Sequence, residues 1–129
     1  MNSSRGLRML AVLAVVFGAL TIFSGGRALF GGEQAQAAVG NAVGFVLWFN
    51  FLAGFAYVLT GAGLWQGRRW AVAGAGLLAL ATSLVVLAFG LHVVTGGAFE
   101  MRTVGALGVR LAFWTLVFAV ARRASKATP

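Results

Sequence analysis

Four runs of apolar residues, each close to the length of a bilayer-crossing helix, constrain this chain more than any other feature of it. A helix that crosses hydrocarbon needs about 20 apolar residues at roughly 1.5 Å rise each, because every backbone N–H and C=O must find its partner inside the segment. The runs extend from about Met9 to Ser24, Ala42 to Trp65, Trp70 to Val94 and Thr103 to Ala121. The first is short unless it continues toward Phe30. They predict an all-α fold, an integral membrane four-helix bundle threaded up-down-up-down. Composition points the same way: 60% of the 129 residues are hydrophobic and 9% charged, where a soluble domain carries roughly 25% charged residues. Lipid is the solvent that suits so much apolar surface, and the length predicts a single transmembrane domain over 1–129.

Orientation follows from the basic residues. Only Gln66, Gly67, Arg68 and Arg69 separate the second and third runs, so 66–69 is a tight hairpin, with Trp65 and Trp70 as anchors at headgroup depth. Arg5, Arg8, Arg68, Arg69, Arg122, Arg123 and Lys126 then fall on one side, against Arg27 and Arg102 on the other, where both acids, Glu33 and Glu100, also lie. The positive-inside rule places the richer side, and with it both termini, in the cytoplasm. The net charge of +8 is thus a topology determinant and a contact for anionic headgroups, and nucleic acid is not an expected partner. A single Lys beside abundant Arg, Ala, Gly and Val suggests a GC-rich bacterial genome and so a bacterial cytoplasmic (inner) membrane. The competing reading, a signal peptide cleaved at Ala35-Gln36-Ala37, places its site too far beyond the apolar run.

The connections are expected to be outer loops over 25–41 and 95–102, with 33–39 either a short interfacial helix or an ordinary loop. Ser24-Gly25-Gly26 and Thr95-Gly96-Gly97 would end spans one and three alike, an echo hinting at two duplicated hairpins. Lipid tails compete with side chains for apolar contact, so membrane helices associate through small residues and a few polar ones. Asn50, Gly54, Tyr57 and Gly61 share one stripe of span two, the predicted bundle-facing side. Gly76, Ser83 and Gly90 form a second seam on span three, and Gly40-x-x-x-Gly44 and Gly63-x-x-x-Gly67 match the small-xxx-small pattern.

Polar residues inside the hydrocarbon each need a reason, since a charge there costs about 2.5–3.5 kcal/mol on insertion scales. Arg110 lies about seven residues, or roughly 10 Å, below the outer end of span four. Asn50 is at comparable depth in span two, His92 closes the outer end of span three, and Glu33 and Glu100 occupy the outer loops. These five predict one polar cluster opening outward, with Arg110 paired to Glu100 or Glu33 and covered by Trp114 one turn on. The plainer alternatives are an Arg110 that snorkels to the headgroups, an Asn50 that only bonds between helices, an interfacial His92 and a solvated Glu100–Arg102 loop.

No catalytic signature emerges. The absence of Cys removes disulfides, thiolate chemistry, iron–sulfur clusters and Cys-ligated zinc. Thr82 and Ser83 are mid-membrane without a neighbouring base, and His92 with Glu100 is a thin acid–base pair. His92 and Met101 match no haem or copper spacing, and one His excludes a bis-His haem within one chain. No metal or cofactor is therefore expected, and the chain reads as no enzyme. The leading expectation is a non-catalytic accessory, assembly or scaffold subunit whose partners are the lipid bilayer and either a membrane protein or further copies of itself. The alternative is a homo-oligomeric transporter or channel for an anion or lipid-like substrate using Arg110.

Overall fold

The computed structural model describes residues 2–32 and 44–127, and the side chains of 5–32 and 44–124. Glu33, the 33–39 segment, the Ala35-Gln36-Ala37 sequence and the start of Gly40-x-x-x-Gly44 lie outside the described residues. Four helices make up the described chain: α1 (Asn2–Phe30), α2 (Gly44–Trp65), α3 (Arg69–Val94) and α4 (Met101–Ala127). Each contains a stretch long and apolar enough to span a membrane: Arg5–Phe30, Gly44–Trp65, Arg69–Val94 and Met101–Ala124.

Helix ends are set by glycine. Gly67 has φ +72 and Gly96 φ +90, backbone that L side chains adopt only at a cost. Around each, the same pair of bonds closes the helix: Gly67 N–H to Leu64 O (3.1 Å) with Arg68 N–H to Gly63 O (2.9 Å), and Gly96 N–H to Val93 O (3.0 Å) with Gly97 N–H to His92 O (2.8 Å). This is the Schellman closure, which satisfies carbonyls that the helix would leave bare. Thr95 adds its hydroxyl, donating to Leu91 O at 2.9 Å and His92 O at 3.1 Å.

The expected echo between Ser24-Gly25-Gly26 and Thr95-Gly96-Gly97 does not hold. Thr95-Gly96-Gly97 ends α3, whereas α1 runs through Ser24-Gly25-Gly26 to Phe30, so 25–30 is helix and not loop. The reason is packing: a Cβ on Gly25 would lie 3.0 Å from the Phe51 Cβ of α2. Gly25 is there to let α2 approach, not to turn the chain.

Consecutive helices pack on one another and α4 returns to touch α1, with α1 against α2 the most extensive pair. Contacts run antiparallel: Gly18 meets Gly54 and Gly61 meets Ala11, Gly74 meets Thr60, and Gly76 meets Phe118. The buried face of α1 is Ala11, Ala14, Gly18, Thr21, Gly25 and Ala28, small residues spaced alternately three and four apart. That spacing keeps a single seam facing the partner helix. On α2 the Gly54, Tyr57 and Gly61 stripe is buried and Asn50 partly so. A Cβ on Gly54 would lie 3.1 Å from the Gly18 carbonyl and one on Gly61 2.9 Å from the Ala11 carbonyl. The α3 seam is shifted from the Gly76, Ser83 and Gly90 line. Its buried residues are Ala71, Ala75, Leu78, Thr82 and Phe89; Gly76 packs beside them on Phe118, Ser83 is half-buried, and Gly90 has open space around it.

The distribution of size inverts that of a soluble bundle. Alanines and glycines fill half of the buried positions, while Leu20, Phe23, Leu59, Leu77, Leu87 and Leu91 are each more than half exposed. Soluble monomers rarely expose large apolar patches.

Candidate functional site

The α4 residues that face inward are Leu107, Arg110, Trp114, Val117 and Ala121, so the guanidinium nearest the middle of the helix occupies a core position. Arg110 is 9% exposed, so its guanidinium is held inside the bundle and does not extend along the helix to its surface. Its Nη1 donates to Thr21 Oγ1 at 3.0 Å, and its guanidinium carbon lies 4.8 Å from the Phe17 ring centroid and 5.9 Å from that of Tyr57. Three helices thus supply its surroundings: Phe17 and Thr21 from α1, Tyr57 from α2, and α4 itself.

The aromatic rings brace one another. Phe17 packs on Tyr57 (5.3 Å) and edge-on to Phe113 (5.4 Å), and Trp114 packs on Tyr57 (4.9 Å) and Phe113 (5.2 Å). Trp114 therefore covers Tyr57, and the cation–π partners of Arg110 are Phe17 and Tyr57 in place of the expected Trp114. A desolvated cation–π contact contributes roughly 2 kcal/mol and an interhelical hydrogen bond in a membrane about 0.6–1.7 kcal/mol. Together these match the scale of the insertion cost of an arginine, about 2.5–3.5 kcal/mol. Arg110 Nε, Tyr57 Oη and Trp114 Nε1 are buried without a hydrogen-bond partner among the described residues. The site is a cationic, donor-rich centre walled by π faces.

The other predicted members lie elsewhere. Glu100 pairs with Arg102 at 3.6 Å in the α3–α4 connection, the Arg102 side chain 70% exposed, so the expected Glu100–Arg110 bond does not form. Two residues apart at the start of α4, Glu100 and Arg102 meet without crossing the bundle, and Arg110 lies too far down the core face to compete. His92 folds back on the same connection, its Nε2–H donating to Ala98 O at 2.8 Å, with the Phe45 ring 6.2 Å away. That contact explains Gly97, where a Cβ would collide with the imidazole. Asn50 lies two turns from Tyr57 along α2, and its Oδ1 is buried without a partner among the described residues. Glu33 is outside them.

Thr82 donates to Leu78 O at 2.7 Å and Ser83 to Ala79 O at 2.9 Å, so each hydroxyl is engaged by its own helix. Among the described residues no group of three His, Cys, Asp or Glu side chains is placed to hold a metal ion. Sequence reasoning missed Thr21 and Phe17. The signal for Thr21 was present, as the one polar member of the Ala11 to Ala28 small-residue seam, whereas Phe17 is one of 11 phenylalanines and nothing in its spacing sets it apart. No protein-family model, curated protein or solved structure matches this chain, so its function has to be read from these residues alone.

Proposed function

We propose that the chain is a non-catalytic accessory, assembly or scaffold subunit of a bacterial cytoplasmic membrane, crossing it up-down-up-down with both termini inside. The observation that carries the reading is the inverted packing: small residues fill most of the interior, the large apolar side chains face outward, and Arg110 is sealed between α1, α2 and α4. Outward-facing Leu and Phe are what lipid or another membrane protein contacts. A centre closed by Phe17, Tyr57, Phe113 and Trp114 suits a structural clasp better than a path. The segregation of Arg5, Arg8, Arg68, Arg69, Arg122 and Arg123 from Glu100 supports the inward termini. The self-bonded hydroxyls and the occupied His92 Nε2 support the absence of catalysis.

One observation favours a second reading, transport of an anion by a homo-oligomer. The Arg110 cation has no acidic partner among the described residues, and its Nε is buried without an acceptor. Extraction in mild detergent followed by mass measurement separates the two. A foreign chain that co-purifies supports the accessory role; a discrete homo-oligomer whose anion flux in vesicles falls with Arg110→Met supports transport and refutes it. A reporter fused after Pro129 that signals from the periplasm overturns the orientation.

A further inference from the structure

We propose that the groove between α1 and α2 at the basic end of the bundle is a binding site for one anionic phospholipid. Two adjoining cavities open there, of about 270 and about 420 Å³, sharing Val12 and Trp65 as common walls. The larger is bordered by Arg5 and Arg8 and continues over Met9 and Leu13; the smaller extends along Val16 to Gly61. The result is a channel with a cationic mouth and an apolar floor.

Its chemistry fits a phosphate joined to an acyl chain. Arg5 and Arg8 lie one turn apart on α1, both exposed, and the Arg8 guanidinium is held over the Trp65 ring at 5.2 Å. That contact fixes one arginine at the mouth while leaving its N–H groups free to donate to phosphate oxygens. Among the described residues no Asp or Glu neutralises it: Glu100 lies at the opposite end of the bundle, paired with Arg102. Arg68, in the adjoining hairpin, adds charge, its Nε donating to Gln66 Oε1 at 3.2 Å. Beyond the mouth the walls are Val12, Val15, Val16 and Ala62, an apolar floor for a tail. Charge complementarity selects an anionic over a zwitterionic headgroup.

The site rests on the proposed membrane location, and its test separates the two. The full chain, stripped of lipid in mild detergent, is titrated with phosphatidylglycerol or phosphatidylcholine and read by native mass spectrometry. One phosphatidylglycerol binds in preference to phosphatidylcholine, and R5Q/R8Q weakens it on the order of thirtyfold, two surface arginines at roughly fivefold each. R122Q/R123Q, the same charge change at the same end but away from the groove, leaves it unchanged, and V12W, which fills the channel at constant charge, abolishes it. Equal binding of the two lipids, equal loss in both double variants, or a second copy of the chain in place of the lipid overturns the site. A chain that stays monodisperse in buffer without amphiphile overturns the membrane reading instead.

Discussion

Thr21→Val is the most direct test of the Arg110 clasp, because it removes one acceptor and keeps the shape of a residue that is 3% exposed. The bond lost is the 3.0 Å contact from Arg110 Nη1. Hydrogen bonds to charged groups contribute about 1.5–3 kcal/mol in soluble proteins, but interhelical bonds in membranes average about 0.6 and reach about 1.7 kcal/mol. Arg110 Nε is already without a partner, so the freed Nη1 finds no easy substitute, and the upper end of the membrane range applies: a loss of about 1–1.7 kcal/mol. Reversible unfolding in mixed micelles, followed by circular dichroism, measures it. Thr82→Val is the control, since that hydroxyl bonds only to Leu78 O of its own helix and should shift stability little. In an Arg110→Met background Thr21→Val should lose nearly all of its effect, a coupling that the double-mutant cycle isolates. If Thr21→Val matches Thr82→Val, or if its cost persists with Met at 110, the clasp is not what binds α1 to α4.

Other outcomes follow from the packing. Gly18→Ala puts a Cβ 2.7 Å from the Gly54 carbonyl, backbone that only a shift of α2 can move, and should cost about 1–3 kcal/mol in the same unfolding assay. Gly90→Ala, with nothing within 4 Å, should instead stabilise by about 0.5–1 kcal/mol through helix propensity. Gly67→Ala forces a side chain onto φ +72 and should cost roughly 1–2 kcal/mol. Glu100→Gln removes a partly exposed ion pair and should change stability by less than about 1 kcal/mol; a larger loss would mean that Glu100 reaches the bundle interior.

The four helices were legible because hydrocarbon leaves a crossing backbone few alternatives and the apolar runs are long. The α2 stripe of Gly54, Tyr57 and Gly61 was legible for a similar reason, small residues at helical spacing beside one aromatic. The end of α1 was not: Gly25-Gly26 in isolation reads as a turn, and only the approach of Phe51 turns it into a packing site. The polar cluster was half legible. Burial of Arg110 followed from its depth, but its partner did not, because opposite charge suggested Glu100 when a hydroxyl and two rings from α1 and α2 stood closer. Charge attraction between distant residues means little until the helix register decides which of them share a level.

An interior half written in alanine and glycine tolerates no added carbon at Ala11, Ala14, Gly18 or Gly54, yet is indifferent to which oily side chain covers Leu20 or Leu87. Drift should therefore accumulate around the perimeter and spare the axis. Kindred chains would be recognised by the rhythm of their smallest residues along the first helix, with one threonine in the beat and one arginine across from it, long after the larger ones had changed.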